Sequence, residues 1–380
     1  MEIGLYIHVP FCVQKCLYCD FTSYDNMTDL FWSYTDALLQ EIAKEGAALA
    51  KDGVQVSTVY FGGGTPTALP IECLERLLLQ VKKSFSLLPE AEVTMEVNPG
   101  TADAEKLTLL HSYGVNRLSF GVQSFDDDVL EACGRIHRSK EAIAALDAAK
   151  AAGFSNVSLD LMYGLPRQTF ESLKESLAQA VELDVTHVSV YGLKVEENTP
   201  FFYLEKQGKL ELPDEDVEAQ MYQFVNEFLP NKGFRRYEIS NYAKRGYESR
   251  HNLRYWRYQS YLGLGVAAHS FLEGRRLANT QDVHEYIEIV SRGGSPRVEY
   301  EESDVWTAMA EFVFLALRTA DGLETAEFTR RFSVVFDDIY GQVTAELIEK
   351  DLVRHAGGRI CLTERGMQFG NQVFEEFLPE

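Results

Sequence analysis

Short runs of β-branched and aromatic residues recur along the first half of the chain, separated by stretches with apolar residues at helical spacing. The runs predict six buried strands, which cover residues 4–9, 56–61, 93–97, 117–122, 156–163 and 187–195. One of the stretches between them carries apolar residues at Leu74, Leu77, Leu78 and Val81. This alternation of strand and helix predicts a βα repeat, and hence an α/β fold with a parallel sheet.

Polar and glycine features accompany each predicted strand. The first strand is followed by three cysteines and the second by glycines; Glu96 ends the third, Gln123 ends the fourth, Asp160 lies within the fifth and Lys194 ends the sixth. Six such units can form an open doubly wound sheet or close most of a barrel, and periodicity alone does not choose. Because the active site of a βα barrel is built at the carboxyl ends of its strands, six contributing strands favour a partial (β/α)6 barrel.

The pattern changes twice along the chain and predicts three regions. Residues 1–233 form the βα core, and residues 234–300 form a connecting module rich in tyrosine, arginine and glycine. Residues 301–380 begin with an apolar helix and end near "GGRICLTERG", which is typical of a β-wing, so we expect a mainly helical, winged-helix-like domain. Many winged helices bind DNA, but acidic residues outnumber basic ones in this region.

Charge and segment composition narrow the class of protein. The net charge of -22 disfavours nucleic-acid and anionic-membrane partners, which require clustered lysine and arginine. The first residues carry no basic segment, and no stretch of 18 consecutive apolar residues occurs, so we expect a cytoplasmic protein. Cys73, Cys133 and Cys361 are scattered singly and are interpreted as small core residues.

Three cysteines in "FCVQKCLYCDF" provide the strongest chemical signal. Cys12, Cys16 and Cys19 have the spacing C-x3-C-x2-C directly after the first predicted strand. The alternatives are disulfides or a structural zinc ion, but zinc ordinarily takes four protein ligands and no fourth cysteine or histidine follows at a suitable spacing. Three thiolates suit a 4Fe-4S cluster whose fourth iron is left open to a small molecule.

This cysteine motif resembles the signature of the radical S-adenosylmethionine (radical SAM) family. The resemblance implies that SAM chelates the open iron through its amino and carboxylate groups. The segment "GGGTP" follows the second strand and is similar to the family's glycine-rich element, which implies cofactor contacts at Gly63, Gly64 and Thr65.

Further strings match one branch of this family, and they imply additional SAM contacts. "MEVNP", "GVQSF", "GRIH" and "LDLMYGLP" place these contacts at Glu96, Gln123, Arg135 and Asp160, and Lys194 is included in the same set. Arginine can pair with a carboxylate, and an acid can accept hydrogen bonds from a ribose diol. Tyr6 and Tyr18 match aromatic positions beside the cofactor, although core packing explains them nearly as well.

The branch contains oxygen-independent coproporphyrinogen III dehydrogenases and haem chaperones. The dehydrogenases carry a further cysteine, where Asp20 and Phe21 stand here, and a long amino-terminal extension, whereas five residues precede Tyr6 here. "HNLRYW", residues 251–256, matches the element typical of the chaperones. The resemblance therefore implies a chaperone that carries haem b to haem-accepting proteins such as membrane respiratory enzymes, with an electron donor for the cluster and a homodimer as further expectations.

Two functional alternatives and one ligand assignment stay open. A dehydrogenase that decarboxylates coproporphyrinogen III is the main alternative, and a radical enzyme acting on RNA is a more distant one, which the charge disfavours. Haem must be held without covalent attachment, since no C-x-x-C-H motif occurs. His251 is the predicted haem ligand and His269 the next candidate, although a histidine beside asparagine and arginine is commonly structural.

Overall fold

The computed structural model describes residues 1–379. Its strands are β1 (Glu2–Val9), β2 (Gln55–Gly63), β3 (Ser86–Val97), β4 (Arg117–Gln123), β5 (Val157–Tyr163), β6 (His187–Gly192), β7 (Arg235–Arg236), β8 (Asn241–Ala243), β9 (Tyr261–Leu264), β10 (His269–Leu272), β11 (Arg275–Asn279), β12 (Arg297–Glu302), β13 (Leu323–Glu324), β14 (Val353–Ala356) and β15 (Arg359–Leu362). Its α-helices are α1 (Phe31–Lys51), α2 (Ile71–Ser84), α3 (Ala104–Ser112), α4 (Asp127–Ala132), α5 (Ser139–Ala151), α6 (Phe170–Glu182), α7 (Pro200–Lys206), α8 (Glu215–Asn231), α9 (Arg250–Trp256), α10 (Val283–Ser291), α11 (Val305–Leu317), α12 (Thr325–Phe332), α13 (Phe336–Glu349), α14 (Glu364–Gln368) and α15 (Gly370–Glu375).

The six predicted strands are all present and form the centre of a twelve-stranded sheet. Strands β1 to β6 lie side by side in chain order, and each neighbouring pair is parallel. The sheet curves without closing, because β12 and β7 remain at its two edges. The predicted partial (β/α)6 barrel within an α/β fold is therefore confirmed.

Side chains alternate between the two faces of each barrel strand. On β3, Val93, Met95 and Val97 belong to the main hydrophobic core, whereas Glu96 lines an interior cavity. Helices cover the outer face, since Leu38 of α1, Leu74 of α2 and Leu146 of α5 share one buried cluster with the apolar strand residues. This period of two sends the apolar residues outward to the helices and the polar residues inward to the site.

The sixth strand is shorter than predicted, and the reason is local packing. It ends at Gly192, so Lys194 does not end the strand but lies two residues beyond it. The apolar residues that extended the prediction, Leu193 and Val195, instead pack against a small separate cluster that contains Phe201. Composition alone does not distinguish apolar residues that continue a strand from apolar residues that pack against a separate cluster.

Residues 235–302 extend the same sheet at both edges. Strand β9 pairs in parallel with β1, and β10, β11 and β12 follow it in antiparallel order. At the other edge, β8 pairs antiparallel with β6. The predicted boundaries at residues 233 and 300 stay a prediction, although the strands between them are hydrogen-bonded to the barrel.

The carboxyl-terminal region packs around a second buried cluster, which Tyr258 and Phe271 of the preceding region join. Helices α11 to α15 pack around a buried cluster that includes Phe312, Phe328 and Phe336, beside a three-stranded sheet in the order β13-β15-β14. The hairpin of β14 and β15 is the β-wing predicted from "GGRICLTERG". Among residues 1–379, no helix is both long enough and apolar enough to span a bilayer.

Candidate functional site

A cavity of about 510 Å³ lies inside the barrel and opens at the carboxyl ends of the strands. Nearly all of the predicted site residues line it; Tyr6, His251 and the second haem-ligand candidate, His269, do not. Those that do are Cys12, Cys16, Tyr18, Cys19, Gly63, Gly64, Thr65, Glu96, Gln123, Arg135, Asp160 and Lys194. Residues spread over more than 180 positions of sequence therefore converge, because successive parallel strands end at the same rim.

Backbone hydrogen bonds fold the cysteine loop over this cavity. The Cys12 amide donates to the Tyr24 carbonyl oxygen at 2.9 Å, and the Cys19 amide donates to the Cys16 carbonyl oxygen at 3.2 Å. The Leu17 amide donates to the Cys133 carbonyl oxygen at 3.1 Å, which ties the loop to α4. All three thiols are partly buried and none is in a disulfide.

Each cysteine sulfur has a polar neighbour. The Thr65 hydroxyl donates to Cys12 Sγ at 3.7 Å, and Arg135 Nη1 donates to Cys16 Sγ at 3.1 Å. Cys19 Sγ lies 3.9 Å from the Ser23 hydroxyl. Burial raises the pKa of Cys12 and of Cys19, because a buried thiolate loses its solvation by water. Hydrogen bonds to sulfur are one means by which a protein tunes an iron–sulfur cluster.

The three thiols line one cavity. In a 4Fe-4S cluster each thiolate binds a different iron, so three cysteine sulfurs around one cavity fit that group.

The glycine segment approaches its neighbours too closely for a side chain. Gly63 has a φ of +111°, and a Cβ at this position would lie 2.5 Å from the His8 ring. A Cβ on Gly64 would lie 2.7 Å from the Phe11 carbonyl oxygen, directly before the first cysteine. The Gly64 amide also donates to the Val9 carbonyl oxygen at 2.8 Å. Glycine is needed here because the segment packs directly on the backbone that leads into the cysteine loop.

Glu96 and Asp160 are buried carboxylic acids in the cavity wall. Glu96 accepts hydrogen bonds from the Tyr60 hydroxyl at 2.7 Å and from the Gly63 amide at 3.2 Å. Asp160 accepts from the Ser189 hydroxyl at 2.6 Å and from the Ser119 hydroxyl at 3.1 Å. Burial raises the pKa of both acids, that of Glu96 to about 7, and their hydrogen bonds offset part of the effect.

The raised pKa of Glu96 predicts a pH-dependent stability. Between its ordinary pKa of 4.5 and its folded value of about 7, the folded protein binds more protons than the unfolded chain. The free energy of unfolding should therefore decrease as pH rises through this interval. We expect Glu96→Gln to flatten the decrease, measured by urea unfolding at several pH values. Glu171→Gln, at an exposed ion pair on α6, serves as the control and should leave the slope unchanged.

Three further predicted SAM contacts differ in burial and in their place around the cavity: Arg135, Gln123 and Lys194. Arg135 is largely buried, and its Nη2 donates to the Gly121 carbonyl oxygen. Gln123 ends β4 with a φ of +71°, which turns the chain at the rim. Lys194 is exposed at the rim and forms an ion pair with Glu196 at 2.7 Å. A SAM contact by Lys194 would require that pair to open, and all three assignments stay predictions.

The two predicted aromatic residues differ in their surroundings. Tyr18 lines the cavity beside the cysteines and packs against Phe201, with ring centroids 6.2 Å apart. Tyr6 lies in the barrel interior, where its hydroxyl is 3.0 Å from His8 Nδ1 and its ring stacks on Tyr60. Tyr18 is therefore placed to contact a cofactor directly, whereas Tyr6 supports His8 beneath the glycine segment.

The string "HNLRYW" forms α9, which packs against the amino-terminal half of the barrel strands. Glu92 of β3 accepts hydrogen bonds from the Arg250 amide and from the His251 amide. Arg254 Nη1 donates to Ser57 of β2 at 2.8 Å. Asn252 lines the interior cavity from this side. The helix therefore contributes to the floor of the cavity whose opening carries the cysteines.

The His251 side chain is almost fully buried, with 1% exposure. Its Nδ1 lies 2.8 Å from the Thr58 hydroxyl and its Nε2 lies 2.8 Å from the Tyr255 hydroxyl. Burial lowers the pKa of His251 to about 3, so the ring is neutral. Haem ligation by His251 requires one of these hydrogen bonds to break, whereas His269 on β10 is exposed.

Arg117 was absent from the predicted site, although it lines the cavity. Arg117 is the first residue of the predicted strand 117–122, and strand composition alone does not show which face of the strand its side chain occupies. The signal that could have revealed it is the period of two along β4, where Arg117, Ser119, Gly121 and Gln123 all face the cavity. Tyr191, Ser189 and His187 line the cavity from β6 in the same way.

The fold and the cysteine site define the class of protein as radical SAM. Residues 6–180 match the model of the Radical SAM superfamily, and residues 304–369 match the HemN C-terminal domain. The chain is 40% identical over 377 residues to the heme chaperone HemW of Bacillus subtilis, covering 99% of both chains. It is 35% identical to the heme chaperone HemW of Escherichia coli, covering 100% of this chain and 98% of that protein. The chain belongs to the HemW family.

A solved structure supports the same fold. Coproporphyrinogen III oxidase (HemN) from Escherichia coli superimposes with a TM-score of 0.86 at 25% sequence identity, covering 99% of this chain and 90% of that one. The barrel and the carboxyl-terminal region are thus both present in that enzyme. The structural similarity places this chain and HemN in one branch of the radical SAM family. The higher sequence identity to HemW distinguishes this chain from HemN.

Proposed function

We propose that this protein is a cytoplasmic haem chaperone that binds haem b and transfers it to acceptor haem proteins, using a 4Fe-4S cluster and SAM. The observation that carries the proposal is the full-length similarity to HemW of Bacillus subtilis, at 40% identity. The main alternative, decarboxylation of coproporphyrinogen III, is disfavoured because the higher identities are to HemW rather than to HemN.

We assign separate sets of residues to the cluster and to SAM. Cys12, Cys16 and Cys19 hold the cluster, and Thr65 and Arg135 donate hydrogen bonds to its cysteine sulfurs. When bound, the cluster supplies one iron with an open coordination position and an electron. SAM contacts are proposed for all of the predicted cofactor residues, of which all but Tyr6 line the cavity: Tyr6, Tyr18, Gly63, Gly64, Thr65, Glu96, Gln123, Arg135, Asp160 and Lys194.

A haem ligand is predicted among the histidines. If His251 is the axial ligand, His251→Ala should shift the Soret band and weaken haem binding, while His269→Ala should not. Losing the hydrogen bonds to Thr58 and Tyr255 should also lower the midpoint of thermal unfolding, so both variants are compared at equal folded fraction and equal cluster content. An unchanged spectrum and affinity in His251→Ala would contradict ligation and leave the residue a structural role on the barrel floor.

The decisive experiment compares haem transfer with porphyrinogen conversion. The cluster is reconstituted anaerobically, and the protein is then tested for haem binding, for transfer to an apo-haem protein and for conversion of coproporphyrinogen III with SAM and a reductant. We expect haem binding and transfer without accumulation of protoporphyrinogen IX. Sustained conversion would overturn the chaperone proposal in favour of the dehydrogenase.

The partners follow from the same proposal. Haem-accepting proteins, including membrane respiratory enzymes, receive the cargo, and a separate electron donor reduces the cluster. A homodimer is proposed to form when the cluster is present. Sedimentation of the protein with and without its cluster tests this, and a monomer under both conditions would contradict it.

A further inference from the structure

Phe201 of α7 packs against the cysteine loop. Its side chain is 1% exposed and belongs to a small buried cluster, against which Leu17 and Tyr18 of the loop also pack. The rings of Phe201 and Tyr18 are tilted by 52°, with centroids 6.2 Å apart. Among the described residues, Tyr18 lines the cavity and Phe201 does not. Phe201 therefore supports the loop from outside the cofactor cavity.

Leu17, which lies between Cys16 and Cys19, is held through both of its backbone groups. Its amide donates to the Cys133 carbonyl oxygen at 3.1 Å, and its carbonyl oxygen accepts from the Phe201 amide at 3.0 Å. One of these bonds comes from the end of α4 and the other from α7. Because the two cysteines flank Leu17, fixing its peptide groups restricts where both sulfurs can lie.

The Phe201 amide is free to make this bond because it lies in the first turn of α7. The amides of a first helical turn have no carbonyl partner within the helix. In α7, Pro200 has no N–H group, and the Thr199 hydroxyl accepts from the Phe202 amide at 3.3 Å. The Phe201 amide donates instead to Leu17. The start of α7 thus directs one backbone donor at the cysteine loop.

Cys12, the first cysteine of the loop, has separate anchors. Its amide donates to the Tyr24 carbonyl oxygen at 2.9 Å, and its sulfur accepts from the Thr65 hydroxyl at 3.7 Å. Neither bond involves α7. A change at Phe201 should therefore affect the other two thiols but not Cys12.

We propose that Phe201 is a positioning residue for the 4Fe-4S cluster, which acts through Leu17 and Tyr18 on the placement of Cys16 and Cys19. Its amide holds the Leu17 carbonyl group, and its ring packs on Tyr18. The reduction potential of a cluster depends on its solvent exposure and on the groups around its sulfurs, so a loop that loses this support should alter the potential. The inference rests on the proposed cluster site and not on haem transfer.

Thiol alkylation tests the proposal in the protein without its cluster. Phe201→Ala removes the ring but keeps the amide and the helix, since alanine is the best helix former. We expect iodoacetamide to modify Cys16 and Cys19 about tenfold faster in this variant, because the space left by the ring lets the loop open more often. Cys12 should react at the wild-type rate. Cleavage after Lys15 separates Cys12 from the other two cysteines, so mass spectrometry measures their rates independently.

The cluster-loaded protein provides a second measurement. At equal iron and sulfide content, Phe201→Ala should change the EPR spectrum of the reduced cluster and its reduction potential, because solvent reaches the sulfurs more easily. Phe201→Leu keeps a large apolar side chain and should restore both quantities towards the wild type. A residue that only stabilised the fold would lower the midpoint of thermal unfolding and leave both quantities unchanged at equal folded fraction.

Tyr203→Ala is the matched control, since Tyr203 lies on the same helix and is 52% exposed. It should leave the alkylation rates, the spectrum and the potential unchanged. Equal acceleration at all three cysteines in Phe201→Ala, no acceleration at Cys16 and Cys19, or an unchanged spectrum and potential would each overturn the proposal. If Phe201→Ala does not fold, Phe201→Leu is compared instead and should show smaller changes in the same direction. A wild-type protein that takes up no cluster refutes the proposed cluster site, while the alkylation rates still test the support of the loop by Phe201.

Discussion

Cys16→Ala is expected to abolish the 4Fe-4S cluster. In the proposed site, three thiolates hold the cluster and each binds a separate iron, so one loss leaves an iron without its protein ligand. Cys16 also accepts a hydrogen bond from Arg135, so the substitution leaves that guanidinium with an unused donor in a buried position. Iron and sulfide content and the visible absorption after anaerobic reconstitution measure the outcome. The same result is expected for Cys12→Ala and Cys19→Ala.

Cys133→Ala is the matched control for this experiment. Cys133 is fully buried, and burial raises its pKa to about 12, so it is expected to behave as a core residue. Its carbonyl oxygen, not its thiol, accepts the Leu17 amide, and this contact survives the substitution. We expect a normal cluster in Cys133→Ala. A normal cluster in Cys16→Ala would refute the assignment of the ligands.

Gly64→Ala is expected to weaken SAM binding and to reduce cluster content together. The added Cβ would lie 2.7 Å from the Phe11 carbonyl oxygen, which is backbone and cannot rotate away. Either the glycine segment or the start of the cysteine loop must move. Overpacking of this kind costs about 1–3 kcal/mol, which corresponds to roughly five- to 150-fold in an equilibrium constant. Equilibrium binding of SAM to the reconstituted protein measures the effect.

Gly341→Ala tests whether the effect is specific to this position. Gly341 lies in α13, where a Cβ would meet only the Asp337 side chain at 3.5 Å, an ordinary contact. Alanine there should leave SAM binding unchanged and stabilise the helix slightly, since glycine is unfavourable in a helix interior. If Gly64→Ala binds SAM as tightly as the wild type, the glycine segment does not shape the cofactor site.

Some features of this protein follow from short stretches of sequence alone. The six barrel strands are readable because each concentrates β-branched and aromatic residues in a short run, a composition typical of strands. The cysteine loop is readable for a similar reason, since its three thiols lie within eight residues and their spacing is itself the chemical signal. In both cases the residues that reveal the feature are close together in the sequence, so no long-range contact is needed to recognise it.

Other features depend on contacts between distant segments, which only the tertiary structure decided. Strands β7 to β12 are short, and pairing with β1 and β6 makes them part of the sheet. His251 appears free in the sequence, yet Thr58, 193 positions away, occupies one of its ring nitrogens. Arg117 begins a predicted strand, and only the barrel shows that it lines a cavity. The sequence gives the chemical groups that each side chain carries. Whether those groups are buried, and whether they already have hydrogen-bond partners, depends on the distant segments that pack around them.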